Sequence, residues 1–418
     1  MLIVTTLLLF WFSLTVLLFL WKRELFVKTW REPYFKDTPI LIESDDWGPG
    51  GEFHADRLQS LLNALSEQKD SIGRSAVLTA DVVLSVPDIE KIKNEPDDPC
   101  PRKWLDRDFP KVYQVMLKGI ENDVLVPQLH GLEHLNGEAF AKLCRTGDFR
   151  TERAMADPTW WDWERLDSPL QGHYVDGSTL PTRPINSDKA KQIIGTATEA
   201  FQRLFGYPTL TTVAPCYLWN DTIEAEWSRH RIRAIQTAGY RCPERTEDGR
   251  YRQDKLLIRT GDLNVFGQIY LVRNVMFEPV DGKNTPDTAY EESWRAYRQA
   301  LPITISTHRY NFTRTENEHN ASLAGLKILL SKLTENLANT RFVSSPELAD
   351  ALFDPSAAII NRFNDKTFPE LRQIDGIAKL GPFLYRLYDR HPKLAFIGKI
   401  SGLIFPGWLI CRTLQKNA

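Results

Sequence analysis

The chain has 418 residues, and 52 Lys and Arg against 54 Asp and Glu give a net charge of −2 with histidine neutral. Hydrophobic residues make up 42% and charged residues 25%, which excludes a disordered, collagenous or coiled-coil protein. This near-neutral balance provides no basic face for nucleic acid, so we expect no nucleic-acid partner.

Residues 1–21 carry no charge, and a helix needs about 20 apolar residues to cross a bilayer. No basic residue precedes this run, and Lys22 and Arg23 follow it in place of the small residues of a cleavage site. We therefore predict an uncleaved transmembrane anchor over 1–21 and a juxtamembrane linker over 22–37, with a cleaved signal peptide as the alternative. The basic residues after the run place the rest of the chain in the cytoplasm by the positive-inside rule.

Short β-rich runs alternate with amphipathic helical patterns through 38–352, which is typical of βαβ units around a parallel sheet or barrel. The predicted strands are Pro39–Ser44, Ala76–Thr79, Val124–Leu129, Leu210–Ala214, Gln268–Val272 and Pro302–Ser306. The predicted helices are Ala55–Glu67, Tyr113–Glu121, Asp188–Phe205, Ile223–Ala238, Ala289–Ala300 and Ala321–Leu337. The pattern predicts an α/β protein.

Two segments depart from this alternation. Residues 104–183 are irregular and aromatic, with a tryptophan cluster over 160–163, and they indicate an ordered insertion. Residues 353–418 form a C-terminal segment that contains an apolar stretch over 394–414. We expect helices there that lie on the bilayer, with Trp408 and Arg412 at headgroup level. A helix that spans the bilayer and a helix packed on the barrel are the alternatives.

The functional residues of (β/α) barrels lie at the carboxyl ends of strands. Asp45 and Asp46 end the first predicted strand and are followed by Trp47 and a Gly-Pro turn. Two adjacent carboxylates raise each other's pKa unless a cation separates them, so one is a candidate metal ligand and the other a candidate base. A solvated turn with two surface acids is the alternative.

Histidines follow two more predicted strands. His130 and His134 are four residues apart, so on a helical turn their rings face one side and can share a metal ion. His308 follows the last predicted strand. Each histidine alone also fits a packed or surface residue. Because the chain has only eight histidines, three of them at strand ends make a chance pattern less probable.

Further residues after the fourth and fifth predicted strands are candidates for substrate binding. These candidates, together with Trp47, are Pro215, Tyr217, Trp219, Arg273, Asn274 and Glu278. The functional interpretation is the wall of a groove that positions a sugar or orients a carboxylate. Ordinary packing, or a salt bridge buried under the barrel, is the alternative.

An Asp-Asp pair, an H-x-x-x-H and a late histidine, in this order, resemble the motifs of the polysaccharide deacetylase superfamily, the carbohydrate esterase family 4 type. The strings ESDDWG, LHGLEH, RNVMFEP and STHRYNF are similar to a divergent bacterial branch of polysaccharide (de)acetylases. The resemblance runs from Pro39 to Leu348, where FVSSPEL is similar to the closing strand and helix. It implies a distorted (β/α) barrel of the polysaccharide deacetylase type.

The resemblance also implies roles for the matched residues. Asp46, His130 and His134 correspond to the metal ligands, Asp45 to the catalytic base and His308 to the general acid. The implied cofactor is a divalent metal, with Zn²⁺ as the default and Co²⁺, Ni²⁺ or Mn²⁺ as alternatives. The implied reaction removes an N- or O-linked acetyl group from a polysaccharide or a lipid-linked sugar.

The chain departs from the family pattern at two places. Trp47 stands where a glycine usually follows the acid pair, and the string VAPCYLW lacks the arginine that normally orients the base. Arg273 and Arg309 are the candidate replacements for that arginine. The departures bear on the groove and on the base, and they leave the metal ligands unchanged.

The resemblance implies a bacterial inner-membrane protein with a single anchor. The family's exported substrates favour a barrel outside the cytoplasm, whereas the basic residues after the anchor favour the inside. Two other functions stay open. One is a glycoside hydrolase that uses Asp45 with Glu133 or Glu278, and the other is a non-catalytic carbohydrate-binding scaffold of a surface-polysaccharide assembly.

Overall fold

The computed structural model of the protein describes residues 2–157, 163, 166, 168–361 and 365–402. A nine-stranded parallel sheet lies at its centre. Its strands are β1 (Thr38–Trp47), β2 (Leu78–Val82), β3 (Leu125–Leu129), β4 (Thr211–Val213), β5 (Ala234–Thr237), β6 (Ile269–Val272), β7 (Val275–Met276), β8 (Ile303–His308) and β9 (Thr340–Phe342).

The order of strands shows that the sheet curls into an incomplete barrel. Across the sheet the order is β6-β5-β4-β3-β2-β1-β8-β7, and β9 pairs with the first residues of β1. The edge strands β6 and β7 are separated along the chain by only Arg273 and Asn274, so the two edges of the sheet lie side by side. This arrangement confirms the distorted (β/α) barrel.

Helices connect the strands and cover the outside of the sheet, and further helices lie at the two ends of the chain. Those of eight residues or more are α1 (Leu2–Trp21), α2 (Arg23–Arg31), α3 (Glu52–Glu67), α4 (Pro110–Glu121), α5 (Gly137–Thr146), α6 (Ser187–Phe205), α7 (Asp221–Arg229), α8 (Pro286–Arg298), α9 (Glu316–Asn336), α10 (Ser345–Phe353), α11 (Leu380–Arg390) and α12 (Pro392–Ile400). Capping boxes start α9 and α10, at Thr315 and Ser344. Every residue of β1 is buried, as expected for a parallel strand covered on both faces.

One predicted element is wrong, and the barrel strands β5 and β7 were not predicted. The helix predicted over Ile223–Ala238 ends at Arg229, and its last residues form the barrel strand β5. Arg231 has a φ of 64°, which breaks the helical path. The run AIQT in β5 is too short to show a period of its own. The two-residue strand β7 is likewise too short to be recognised from sequence.

The predicted insertion over 104–183 contains the barrel strand β3. The chain outside the barrel is therefore concentrated between α5 and α6, with a small hairpin between Val175–Asp176 and Arg183–Pro184. Within the tryptophan cluster Trp163 is described, whereas residues 160–162 lie outside the described residues. The predicted interfacial residues Trp408 and Arg412 also lie outside them.

Both ends of the described chain are helical. Helix α1 is long and apolar enough to cross a membrane and has no buried residue, although a signal sequence meets the same criteria. After β9 and α10, the helices α11 and α12 return to the N-terminal helices, where the ring of Phe383 contacts Phe26 and Trp30. The N- and C-terminal helices therefore form one unit beside the barrel.

Candidate metal centre

A bulge in β1 positions the two adjacent acids. In a regular strand neighbouring side chains point to opposite faces, so Asp45 and Asp46 would diverge. The pairing of β1 with β2 shifts its register between Ser44 and Trp47, and Asp46 has a φ of 71°. A bulge of this kind re-aims side chains at the end of a strand. It lets both carboxylates contribute to one site at the carboxyl end of the sheet.

Asp46, His130 and His134 form a compact set of ligands. Oδ1 of Asp46 lies 3.3 Å from Nε2 of His130 and 3.3 Å from Nε2 of His134. One ligand atom from each residue lies within 4.8 Å of the others, and all three residues are buried. Ligands held about 2.1 Å from one tetrahedral ion are about 3.4 Å apart. The group can therefore bind a metal ion.

The hydrogen bonds of the set favour a cation between its members. Nδ1 of His130 lies 3.0 Å from the carbonyl oxygen of Val213, to which it can only donate. With a single proton on Nδ1, the ring carries its lone pair on Nε2, which faces Oδ1 of Asp46. That oxygen is buried and accepts no hydrogen bond among the described residues. Because two acceptors in contact repel each other, the donor chemistry of the set fits a metal ion.

The ring of His134 is neutral and fixed by packing. Burial lowers the pKa of His134 to about 3, although the carboxylate of Asp46 opposes this effect. Only a neutral imidazole binds a metal ion. The ring stacks on Trp163, with centroids 5.5 Å apart and planes 9° apart, and the guanidinium of Arg309 lies 4.5 Å from the Trp163 ring.

Asp45 is held by the guanidinium of Arg273. Nη1 and Nη2 of Arg273 donate to the two carboxylate oxygens of Asp45 at 2.7 and 2.6 Å. Burial raises the pKa of Asp45, but Arg273, through its charge and its hydrogen bonds, and the neighbouring His130 and His308 together outweigh burial and hold the pKa at about 2. Asp45 is therefore ionised and fixed in orientation at neutral pH, which is the state that a general base requires.

Arg273 links Asp45 to three other side chains. Its Nε donates to Glu43 at 2.7 Å, its Nη2 donates to Asp81 at 3.0 Å, and its Nη1 donates to the hydroxyl of Tyr217 at 3.2 Å. Burial, assisted by the charge of Asp45, raises the pKa of Asp81 well above its ordinary value. One guanidinium thus organises a buried cluster of three carboxylates.

The two candidate replacements for the missing arginine lie in different places. Arg273 reaches the base from the turn between β6 and β7. Arg309 donates to the carbonyl oxygen of Pro49 at 2.7 Å, and its guanidinium lies on Trp163. The bidentate contact with Asp45 is therefore made by Arg273.

His308 lies opposite Asp45 on the neighbouring strand. β1 and β8 pair so that the two residues are cross-strand partners, and Nε2 of His308 lies 3.8 Å from Oδ2 of Asp45. Nδ1 of His308 is hydrogen-bonded to Oε1 of Glu278 at 2.6 Å. Burial lowers the pKa of His308, but the charges of Glu278, Asp45 and Asp46 outweigh it and raise the pKa to about 10. With 32% of its side chain accessible, a protonated His308 faces the mouth of the site.

Four of the predicted substrate-binding residues lie around these groups. Arg273 and Glu278 contact the candidate base and acid directly. Tyr217 contacts Arg273, and buried Pro215 begins the turn that carries it. In that turn both Cys216 and Tyr217 have a positive φ, of 57° and 54°. Backbone strain of this kind is found where a side chain must be aimed at a site.

Of the other three predicted substrate-binding residues, Trp47 and Trp219 are buried and Asn274 is half-buried. Trp47 and Trp219 lie in the core, where their indole nitrogens donate to Ser44 and Glu224 at 2.9 Å. The side-chain amide of Asn274 bonds to the backbone on both sides of Ile303, at the start of β8. Burial therefore corrects the expectation that Trp47 and Trp219 contact a ligand, whereas a binding role for Asn274 stays a prediction.

The carboxylates that a glycoside hydrolase would need are engaged elsewhere. Glu133 is buried and bonds to Cys100 and Arg102. Glu278 bonds to His308 and to the side-chain amide of Asn311. A glycoside hydrolase needs an acid and a second carboxylate about 5–10 Å apart across the scissile bond. Glu133 is therefore held in a separate buried ion pair, and Glu278, which contacts the opposite nitrogen of the His308 ring from Asp45, is engaged with His308 and Asn311.

Three residues of the site were not predicted from the sequence. Asp81 lies near the carboxyl end of β2, so the strand-end rule that selected Asp45 selects it as well. Glu43 lies inside a fully buried strand, where no local pattern marks it. Trp163 belongs to the aromatic cluster that was assigned to an insertion, and only the fold brings it onto His134.

No family profile matches the sequence, and no curated protein sequence matches it. The chain is similar to a solved family 4 carbohydrate esterase from Streptomyces lividans, at 10% identity over 73% of this chain and 91% of that one, with a TM-score of 0.34. It is similar to the peptidoglycan deacetylase PdaC from Bacillus subtilis at 11% identity, over 77% and 93%, with a TM-score of 0.35. A 4-alpha-glucanotransferase from Thermococcus litoralis matches at 7% identity over 81% and 42%, with a TM-score of 0.41.

Proposed function

We propose that the chain is a metal-dependent hydrolase that removes N- or O-linked acetyl groups from a carbohydrate. One observation carries this proposal: the ligand set lies beside a cross-strand pair made of an ionised carboxylate and a protonated imidazole. Hydrolysis of an acyl group needs these three parts, namely an electrophile for the carbonyl, a base for water and an acid for the leaving atom. The order of motifs along the chain agrees with this assignment.

Asp46, His130 and His134 are the residues that would hold the divalent cation. When bound, the cation would supply a Lewis acid for the acyl carbonyl and would lower the pKa of water far below its bulk value, toward about 7. An aspartate with two histidines suits Zn²⁺, and Co²⁺, Ni²⁺ or Mn²⁺ also bind such donors. The hydrogen bond from His130 to Val213 fixes the ring in the tautomer that binds through Nε2.

The residues beside the ligands would handle the protons. Asp45, ionised and held by Arg273, accepts a proton from the attacking water. His308, protonated and held by Glu278, donates a proton to the leaving nitrogen or oxygen. For an amide this second step is decisive, because an amine anion is a poor leaving group. The cross-strand pairing holds the two groups beside each other, with Nε2 of His308 3.8 Å from Oδ2 of Asp45.

The substrate and the location are part of the same proposal. We assign α1 as a single-pass anchor in the bacterial inner membrane. A polysaccharide or lipid-linked sugar then meets the carboxyl end of the barrel. A sugar chain of any length can reach this site, because the site opens at the surface of the barrel. The acetyl group that is removed is attached to nitrogen or to oxygen. The basic residues after α1 and the exported nature of such substrates favour opposite sides of the membrane.

Loss of a ligand tests the proposal directly. We expect His134→Ala to abolish stoichiometric metal in the purified full-length protein and to lower acetate release from chitooligosaccharides or acetylated xylan by at least a hundredfold. The reason is that two remaining ligands hold a divalent cation poorly. Elemental analysis measures the metal, and an enzymatic acetate assay measures the activity.

A histidine outside the site provides the control. His230 bonds to Thr198 on the outer layer of helices, so His230→Asn should retain both the metal and the activity. Full acetate release by His134→Ala would refute the hydrolase assignment. Bound metal without acetate release in the wild-type protein would instead support the carbohydrate-binding scaffold.

A further inference from the structure

The C-terminal helix α12 has an unusual distribution of side chains. Its buried residues are the small Ala395 and Gly398, whereas the large apolar Phe396, Ile397 and Ile400 are 63%, 42% and 72% exposed. A helix on a water-soluble domain buries its large apolar side chains. Small residues at the packed face and large apolar residues outside are instead typical of helices packed within a bilayer.

A hydrogen bond fixes the height of α12 along the candidate anchor. Nε1 of Trp11 donates to the carbonyl oxygen of Ser401, directly after α12, at 3.1 Å. The half-buried positions of α1 are 11, 15 and 18, which lie on one helical face. Trp11 is ten residues from the end of α1 at Trp21, or about 15 Å along the helix axis. That depth is about half of the roughly 30 Å hydrocarbon core.

The charged residue near the end of α12 turns back toward the surface. Lys399 Nζ lies 3.3 Å from the hydroxyl of Tyr388 and 4.8 Å from the centre of its ring, eleven residues earlier in the chain. A lysine in an apolar environment extends its ammonium toward the membrane interface in this way. Tyrosine is enriched at that interface. The Lys399 charge is therefore compatible with insertion of the helix.

We infer that α12 enters the same bilayer as α1 and reaches about its midplane, so that the protein has a two-helix membrane element. The lipid acyl chains would cover Phe396, Ile397 and Ile400. This inference rests on the proposed anchoring by α1 and is independent of the proposed chemistry. It differs from a helix that lies flat on the surface, because the contact with Ser401 places the end of α12 beside the middle of α1.

Depth-dependent fluorescence quenching tests the inference on the full-length protein. An environment-sensitive fluorescent amino acid is introduced singly at Phe10 in α1, at Ile397 in α12 or at Ile328 in α9. The protein is then reconstituted into phosphatidylcholine–phosphatidylglycerol vesicles that contain lipids spin-labelled at acyl carbon 5 or 12. We expect positions 10 and 397 to be quenched at least twofold more by the deeper label, and position 328 by neither.

Comparison of positions 10, 397 and 328 distinguishes failure of the proposed anchor from failure of the proposed insertion of α12. Deep quenching at position 10 without quenching at position 397 would overturn the inference and leave the anchor intact. Stronger quenching of position 397 by the shallow label would also overturn it, in favour of a helix on the surface. Absence of quenching at both positions would overturn the anchor together with the inference. Acetate release measured on each labelled protein shows whether the barrel is folded.

Discussion

Arg273 is the residue that joins the most groups of the candidate site. A guanidinium offers five N–H donors in a planar fork, and this one uses them on Asp45, Glu43, Asp81 and Tyr217. A point charge such as an ammonium cannot satisfy partners spread over that plane. Asp45 is therefore the candidate base, whereas its orientation depends on the planar guanidinium of Arg273.

The substitution Arg273→Lys tests whether Asp45 needs the bidentate contact with a guanidinium or only a nearby positive charge. We expect kcat to fall at least tenfold while the bound metal is retained, because Asp45 keeps a nearby positive charge and loses its bidentate contact. Arg241 is a matched control, since it also binds three carboxylates, Asp221, Glu224 and Asp254, away from the site. Arg241→Lys should lower the melting temperature without lowering kcat. An unchanged kcat in Arg273→Lys would contradict the positioning role.

Glu278 sets the protonation state of His308, so its removal should move the alkaline limit of activity. His308 must be protonated to donate, and activity is lost as the pH rises through its pKa. Burial lowers that pKa and Glu278 raises it, so Glu278→Gln should shift the alkaline limb of kcat/KM to lower pH by about 1–3 units. The exposed acid Asp281 provides the control, because Asp281→Asn should leave the limb in place. The measurement is the pH profile of acetate release. If the alkaline limbs of the wild-type protein and of Glu278→Gln coincide, His308 is not the proton donor.

At the scale of elements, the bulge at the end of β1 is the feature on which the site depends. It is followed by Gly48, whose φ of 141° is open mainly to glycine. A Cβ at this position would lie 2.1 Å from the carbonyl oxygen of Val83. The backbone at Gly48, two residues after Asp46, therefore passes too close to Val83, the residue after β2, to carry a side chain.

Gly48→Ala should displace the end of β1 and with it Asp46. We expect a lower melting temperature and at least tenfold weaker metal binding, measured by calorimetry and by titration with Zn²⁺. Gly73 is the control, because its φ is also positive, at 83°, but a Cβ there meets no atom within 4 Å. A substitution at Gly73 therefore measures the cost of the backbone conformation without a steric clash. Gly73→Ala should cost about 1–2 kcal/mol of stability and leave the metal affinity unchanged. Equal effects of the two substitutions would argue against the close approach.

Part of this arrangement was predictable from the sequence. Apolar runs that end in acids or histidines predicted the barrel strands β1, β3 and β8, because burial and strand-end chemistry leave a local pattern. The strand β5 was not predictable, since four residues give no period. The contact between Arg273 and Asp45 joins residues 228 positions apart, and no local pattern distinguishes Arg273 from Arg309. The motif order predicted the candidate ligands, and only the fold showed what holds the base.

At the scale of the whole molecule, Glu32 connects the terminal helices to the barrel. This nearly fully buried carboxylate follows α2 and lies 2.5 Å from Arg259, 3.0 Å from Arg386 and 2.6 Å from Arg390. Arg386 also lies 3.6 Å from the centre of the Tyr34 ring. Burial raises the pKa of Tyr34 to about 12, so this ring stays neutral. The cluster couples α2, α11 and the segment before β6.

Glu32→Gln should detach these parts from each other. Removing one partner of a buried ion pair costs about 3–5 kcal/mol, because the remaining charges lose their compensation. We expect a lower melting temperature and faster proteolysis in the helices after residue 375, with metal binding unchanged. Glu24 is exposed on α2, so Glu24→Gln serves as the control. A variant with wild-type melting temperature and protease resistance would show that the cluster is dispensable.

The shared guanidinium has a consequence for how the protein can evolve. Since Glu43, Asp45 and Asp81 all depend on Arg273, the effect of changing one of them is set by which of the others are present, and their mutational effects should be strongly non-additive. Libraries that vary these four positions together should therefore contain active combinations whose single-step intermediates are inactive.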